Sequence, residues 1–293
     1  MAGGDAGDGG SRFGKDAVVS VAFATASGLG TAVGLTLALT GAGGGIVAVP
    51  LLVFALNMKL SEAAPVGLLA VGLAATLGAA LGLRQGTVRY RAAMLIGGAG
   101  MLMAPVGVGL AQRLPNGPMT VAFAGVLAWS AFSMYRRSGD RGVERNLEPL
   151  IQRAPCVRDP GTGRLIWTRP CALVLATTGM GSGLLSGLLG VGGGFVIVPA
   201  LSTFSNLAAQ SVASTSLAVI ALVSLSGVAS AVAHDALDWS TALPFACGAA
   251  AALLIGRRLA MRWSGPALQR CFAALSLAVA LALLWRGLHA ITR

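Results

Sequence analysis

A glycine-rich sequence that occurs twice constrains this chain more than any other feature. Residues 41–50 read GAGGGIVAVP, and residues 190–199, which lie 149 positions later, read GVGGGFVIVP. In each copy three adjacent glycines interrupt an apolar run of helical length, so we expect the backbone to open there. Within a bilayer, open backbone is tolerated only where it is buried in protein or lines a cavity.

The composition indicates that the apolar runs lie in a membrane. Of the 293 residues, 55% are hydrophobic and only 11% are charged, and the mean hydropathy is +0.78. Soluble domains carry about 25% charged residues, so this chain lacks the side chains that would cover a soluble surface. Its 42 glycines fit a membrane protein, because helices in lipid approach each other closely at small residues. We therefore expect an all-α polytopic membrane protein in contact with the lipid bilayer.

The repeat extends beyond the glycine motif and runs without a gap from about residue 30 to residue 113. Matching pairs include Gly30 with Gly179, Gly34 with Gly183, Ala64 with Ala213, Leu68 with Leu217, Gly78 with Gly227, and Arg113 with Arg262. The apolar run at 17–39 could be mistaken for a cleavable signal peptide. Its match to an internal segment argues against removal, so the sequence predicts a duplicated fold.

Each half is predicted to contain a helix broken at the three glycines, followed by three transmembrane helices. The short apolar segments after the breaks, at about 46–56 and 195–205, span only about half of a 30 Å hydrocarbon core. We expect a disordered tail at 1–16, a first repeat at 17–135, a cytoplasmic linker at 136–169 and a second repeat at 170–293.

The positions of the basic residues predict that the two repeats are inverted. The loop at 84–91 holds three arginines, whereas its counterpart at 233–240 holds His234, Asp235 and Asp238 and no Lys or Arg. Basic loops lie in the cytoplasm, so corresponding loops face opposite sides, with both termini outside. This placement also accounts for the net charge of +11 without nucleic-acid binding.

The restarting helices are predicted to bind an anion with their backbone. A helix N-terminus exposes free N–H groups and the positive end of its dipole. Two breaks at corresponding positions are typical of a transport site, although glycines can also serve close packing. Pro50 and Pro199 are expected about four residues into each short helix, where a missing N–H costs little. The predicted substrate-binding residues are Gly43, Gly44, Gly45 and Ile46, and Gly192, Gly193, Gly194 and Phe195.

Three consecutive hydroxyl residues add to the predicted site. Ser214, Thr215 and Ser216 follow the second break, whereas their counterparts at 65–67 carry no hydroxyl. These side chains could donate to an anion, or could bond to the preceding helical turn. The sequence leaves both roles open.

Other polar residues do not form a catalytic or metal-binding pattern. His234, Asp235 and Asp238 could carry protons, but their loop position favours a solvated surface. The four cysteines (Cys156, Cys171, Cys247 and Cys271) form no CxxC pair and are interpreted as small hydrophobic residues rather than as metal ligands or a disulfide. We expect no cofactor, no metal and no enzymatic activity.

At GAGGGIVAVP, GVGGGFVIVP and the downstream ASTSL (213–217), the chain resembles the sulfite exporter TauE/SafE family. The resemblance covers nearly the whole chain except the N-terminal tail and the long linker. It implies an integral membrane transporter that moves sulfite, an organosulfonate or a related sulfur-containing anion across the bacterial inner membrane. The leading hypothesis is a secondary transporter for sulfite or an organosulfonate, with a coupling proton or ion as a further candidate partner. Alternatives are transport of another small anion or a metabolite, or a membrane enzyme or assembly partner without transport activity. The oligomeric state and the direction of transport do not follow from the sequence.

Overall fold

The computed structural model of the chain describes residues 9–40, 44–139, 156, 168–204, 209–263, 274 and 277–285. Helices account for nearly all of these residues. They are α1 (Gly9–Thr40), α2 (Gly44–Ala55), α3 (Leu60–Arg84), α4 (Tyr90–Arg113), α5 (Asn116–Gly139), α6 (Arg169–Leu189), α7 (Gly194–Phe204), α8 (Ala209–Ala233) and α9 (Trp239–Trp263). Residues 277–285 are also helical.

The helix lengths confirm an all-α polytopic membrane protein. Among the described residues, five helices are long and apolar enough to cross a membrane: α3, α4, α6, and the parts of α8 and α9 at Gln210–Ala233 and Trp239–Gly256. By contrast, α2 has 12 residues and α7 has 11. At 1.5 Å per residue both are about half as long as the hydrocarbon core is thick, as expected from the sequence.

One predicted boundary differs from the structure. The tail at 1–16 was expected to be disordered, but α1 already begins at Gly9. Once the apolar run has formed a helix, each further residue adds one hydrogen bond at little cost, so the helix extends into the polar sequence. Residues 1–8, most of the linker, and most of the second repeat after residue 263 lie outside the described residues.

The two halves pack in a two-fold symmetric pattern. The first helix of each half packs against the fourth helix of the other half, so α1 contacts α9 and α6 contacts α4. The equivalent helices α3 and α8 contact each other at the centre, and their bounds differ by 149 residues at both ends. Helices that correspond in the sequence repeat therefore make corresponding packing contacts.

The contacts of glycines give the relative directions of these helices. Along the α3–α8 interface, Gly72 faces Ser224, Gly78 faces Leu217 and Gly82 faces Ser214, so the two helices are antiparallel. In the α4–α6 interface, Gly100 faces Gly183 and Gly107 faces Gly187, so these helices are parallel. Antiparallel equivalent helices are what inverted repeats require. The sidedness of the loops in the membrane stays a prediction.

The interpretation of all four cysteines as small hydrophobic residues is wrong for two of them. Cys156 in the linker forms a disulfide with Cys171 in the first turn of α6, and both residues are buried. Their Cα atoms are 5.0 Å apart, although 15 residues separate them in the sequence. A disulfide needs only that the fold bring two Cβ atoms close together, which no local spacing motif reveals. Cys247 is a free, exposed cysteine.

Candidate functional site

The structure brings the two glycine breaks together in the protein interior. A Cβ atom added to Gly45, at the start of α2, would collide with the carbonyl oxygen of Val191 in the second break. A Cβ atom added to Gly190 would collide with the backbone of Ala64 in α3. Residues 44–50 and 190–195 are all buried. The starts of the two half-length helices therefore lie close to each other and away from the surface.

The second break has the backbone conformation that only glycine adopts easily. Gly190 ends α6 with φ +72°, and its N–H donates to the carbonyl oxygen of Ser186 at 2.8 Å. Gly192 and Gly193 follow with φ +74° and +69°. Side chains with a Cβ atom rarely occupy this region. The glycines thus turn the chain sharply before α7 begins.

The turn leaves donors at the start of α7. The N–H groups of Val196 and Ile197 both donate to the Gly193 carbonyl oxygen, at 3.0 and 3.2 Å. The N–H groups of Gly194 and Phe195 precede these first helical hydrogen bonds, so the helix itself does not use them. Together with the helix dipole they form a local positive potential that favours an anion.

The start of α2, which follows the first break, has different surroundings from the start of α7. Gly43 lies outside the described residues, and α2 begins at Gly44. A Cβ atom on Gly44 would lie 2.5 Å from the Cβ atom of Leu37 and 2.9 Å from the carbonyl oxygen of Val33, both in α1. Ile46, the other predicted binding residue here, is 4% exposed. Aliphatic side chains therefore enclose the start of α2.

The prolines lie deeper in the half-length helices than predicted. Because Gly44 and Gly194 already belong to the helices, Pro50 is the seventh residue of α2 and Pro199 the sixth of α7. An interior proline removes one helical hydrogen bond, here to the carbonyl of the residue four positions earlier. Those carbonyls belong to Ile46 and Phe195, next to the breaks.

The structure gives the predicted hydroxyls hydrogen-bond partners outside the second break. Thr87, in the connection between α3 and α4, donates to the Ser214 hydroxyl at 3.0 Å, and the Arg89 N–H donates to the Thr215 hydroxyl at 3.1 Å. The Ser216 hydroxyl donates to the carbonyl oxygen of Ala213 at 2.8 Å. Ser214 and Thr215 therefore hold the α3–α4 connection against α8, and Ser216 bonds within its own helix.

Three other buried serines lie nearer to the second break, and the sequence analysis did not single them out. They are Ser182, Ser186 and Ser224. A Cβ atom on Gly193 would lie 3.1 Å from the Ser182 Cβ atom, and one on Gly192 would lie 3.8 Å from the Ser224 hydroxyl oxygen. A comparison of the two repeats could have identified these serines, because their counterparts in the first half are the apolar residues Val33, Leu37 and Ala75.

Ionised side chains do not approach the breaks within the described part of the chain. The buried polar residues found there are serines and one threonine: Ser130, Ser182, Ser186, Ser214, Thr215, Ser216 and Ser224. No group of three or more His, Cys, Asp or Glu among the described residues could hold a metal ion. The donors available to a ligand at the breaks are therefore neutral.

The acidic loop between α8 and α9 lies on the surface. Asp238 precedes α9, and its carboxylate accepts hydrogen bonds from the Ser240 hydroxyl and the Thr241 hydroxyl, both at 2.7 Å. These bonds, that of Ser240 first, hold the pKa of Asp238 below its ordinary value. His234 is exposed and lies within hydrogen-bond distance of the carbonyl oxygen of Ser230. Asp238 thus acts as a helix cap, in agreement with a solvated loop.

Comparisons with known proteins agree with this architecture. The model of the family described as "Sulfite exporter TauE/SafE" matches residues 26–283. A protein of Xylella fastidiosa strain 9a5c named "Probable membrane transporter protein" is 28% identical over 264 residues, which cover 89% of this chain and 94% of the relative. A protein of the same name from strain Temecula1 is 27% identical over the same shares. No solved structure matches the chain.

Proposed function

The chain is a membrane transporter that belongs to the sulfite exporter TauE/SafE family, and from this premise we propose that it moves a small sulfur-containing anion. The proposed substrate is sulfite or an organosulfonate, and the proposed location is the bacterial inner membrane. The family description supports sulfite, and the bacterial relatives support the location. Transport here is proposed to proceed without chemical conversion of the anion.

The observation that supports an anion most directly is the meeting of two helix starts in a buried region without ionised side chains. In the proposal the anion lies at the starts of α2 and α7, near the middle of the bilayer. Backbone N–H groups at Gly43–Ile46 and Gly192–Phe195 are the proposed donors, aided by the two helix dipoles. Neutral donors bind an anion less tightly than a buried Arg or Lys would, which allows release during turnover.

The symmetry of the fold supports a mechanism of alternating access. Two inverted repeats around a midplane site allow one bundle to rock against the other, so that the site opens to each side in turn. The proposed transporter is a secondary one, because inverted repeats with broken helices are typical of secondary transporters. A coupling proton or ion therefore remains part of the proposal.

A thermal-shift screen of the purified protein tests the substrate. A ligand that binds only the native state stabilises it by RT ln(1 + [L]/Kd), or about 2.7 kcal/mol at a hundredfold excess over Kd. The panel is sulfite, sulfoacetate, taurine, thiosulfate and sulfate, with sodium chloride at equal ionic strength as control. We expect sulfite or a sulfonate to raise the Tm more than the control. A shift with none of them, or with unrelated metabolites alone, would contradict the proposed substrate class.

A further inference from the structure

We propose that the anion is held asymmetrically, at the second break, by the hydroxyl groups of Ser186 and Ser224 together with the N–H groups of Gly194 and Phe195. This inference rests on the proposed function and assigns its binding residues. The half-length helices α2 and α7 correspond in the repeat, but different residues surround their starts.

The first line of evidence is that both hydroxyls are buried without a partner. Ser186 is 0% exposed and Ser224 is 1% exposed, and neither hydroxyl oxygen makes a hydrogen bond. Burying a hydroxyl without a hydrogen bond is unfavourable, and native proteins rarely leave one in this state. The fold does not demand these hydroxyls, since the equivalent positions in the first half are Leu37 and Ala75. A ligand with acceptor oxygens would satisfy both.

The second line of evidence is the position of both residues around the start of α7. Ser224 in α8 lies opposite Gly192, where a Cβ atom would come within 3.8 Å of its hydroxyl oxygen. Ser186 lies one turn after Ser182 on the same face of α6, and Ser182 contacts Gly193. In the first half, the residue equivalent to Ser186 is Leu37, which contacts Gly44 directly. At the second break itself, the Ser186 carbonyl oxygen accepts a hydrogen bond from the Gly190 N–H at 2.8 Å, so Ser186 lies where this break begins.

There is also space beside Ser224. A cavity of about 90 Å³ lies between α3 and α8 and is lined by Gly72, Thr76 and Ser224 together with aliphatic side chains. The Thr76 hydroxyl donates to the Gly72 carbonyl oxygen at 2.8 Å, so it is already satisfied. The Ser224 hydroxyl has no hydrogen-bond partner, so it is the hydroxyl lining this cavity that is left to donate to a ligand, and the cavity lies on the α3 side of Ser224 rather than among the residues of the break. In the first half, the residues equivalent to Ser186 and Ser224 are Leu37 and Ala75, whose side chains cannot donate a hydrogen bond. We therefore expect the ligand at the second break.

The test measures sulfite binding and stability for Ser186→Ala and Ser224→Ala in the purified full-length protein. The matched control is Ser202→Ala in α7, because Ser202 is exposed and its hydroxyl already donates to the Pro199 carbonyl oxygen at 3.0 Å. Losing one hydrogen bond to an anion should raise the Kd for sulfite about tenfold or more. Without sulfite, the Tm of both variants should equal or exceed that of the wild type, because each substitution removes an unpartnered hydroxyl.

The outcomes separate this inference from the proposed function. A wild-type protein that binds sulfite, with unchanged Kd in both variants, would overturn the assignment of these serines and leave the proposed function standing. A lower Tm in both variants without sulfite would also overturn it, because the hydroxyls would then stabilise the fold. A wild type that binds neither sulfite nor any sulfonate would overturn the proposed function and this inference together.

Discussion

At the scale of single residues, Gly193 connects the sequence motif to the proposed site. Its φ of +69° is strained for any residue with a Cβ atom, and such an atom would lie 2.8 Å from the carbonyl oxygen of Ser182. We predict that Gly193→Val abolishes transport while the protein still inserts into the membrane. Uptake into cells with equal amounts of protein in the membrane is the measurement. Gly181→Val in α6 is the matched control, since no atom lies within 4 Å of a Cβ atom there. Near-normal uptake by Gly193→Val would contradict the prediction and would indicate that the glycines serve only close packing.

A second prediction at the scale of single residues concerns Asp238 and the pH dependence of its contribution to stability. Because its pKa is lowered in the folded protein, its contribution is fully present above the ordinary carboxyl pKa and is lost as the pH falls through the lowered value. Replacing such a cap by alanine costs about 1 kcal/mol. We expect Asp238→Ala to lower the Tm at neutral pH and to have little effect in acid. The measurement is the Tm of the wild type and of Asp238→Ala from neutral to acidic pH. A difference in Tm between the two proteins that stays the same at every pH would contradict the prediction.

At the scale of helices, close packing through glycine is expected to limit what the structure tolerates. In the parallel α4–α6 pair, a Cβ atom on Gly183 would collide with the carbonyl oxygen of Gly100. Overpacking of this kind typically costs 1–3 kcal/mol. We therefore predict a lower Tm for Gly183→Ala than for the control Gly181→Ala on the same helix. Equal Tm values would mean that the two helices are not packed as closely as described.

The helices show how far sequence could predict this fold. The apolar runs, the half-length segments and the glycine breaks are local features, so their positions could be predicted within a few residues. The extension of α1 to Gly9 could not be predicted from the apolar pattern, because the helix continues beyond the apolar run into a polar sequence. The prolines lie further from the helix starts than predicted, because Gly44 and Gly194 belong to the helices rather than to the preceding loops.

The candidate site was predicted less completely than the helices. The breaks were identified because glycine runs are visible in a single sequence. Ser214 and Thr215 were chosen by proximity in the sequence, but they hold the α3–α4 connection. Ser186 and Ser224, which we propose as binding residues, were not among the predicted residues, because their relation to the break depends on how α6 and α8 pack around it. Whether any of these hydroxyls contacts substrate stays a prediction that the alanine variants test.

At the scale of the whole molecule, the linker provides two signals that point to different compartments. Its arginines predict the cytoplasm, whereas the disulfide of Cys156 favours an oxidising compartment. In a cysteine-free variant, we predict that an impermeant thiol reagent added to intact cells labels His234→Cys and not Arg141→Cys. Labelling of position 141 but not 234 would place the linker outside and reverse the predicted topology.

The disulfide itself should contribute to stability. In the loop-entropy account, closing a loop of about 15 residues stabilises the folded state by about 3 kcal/mol. We expect Cys156→Ser to lower the Tm measured without reductant, and to match the wild type when reductant is present. Cys247→Ser is the control, because Cys247 is free. A wild-type Tm that does not respond to reductant would contradict a stabilising disulfide.

The central claim is that this transporter moves a sulfur-containing anion through a site at the paired helix breaks. The most direct measurement is the uptake of radiolabelled sulfite into proteoliposomes that contain the wild-type protein, the Gly193→Val variant or the Gly181→Val control. We expect saturable uptake by the wild type and the control, competition by an organosulfonate, and uptake by Gly193→Val no greater than that of empty liposomes. Wild-type uptake equal to that of empty liposomes, or full uptake by Gly193→Val, would contradict it.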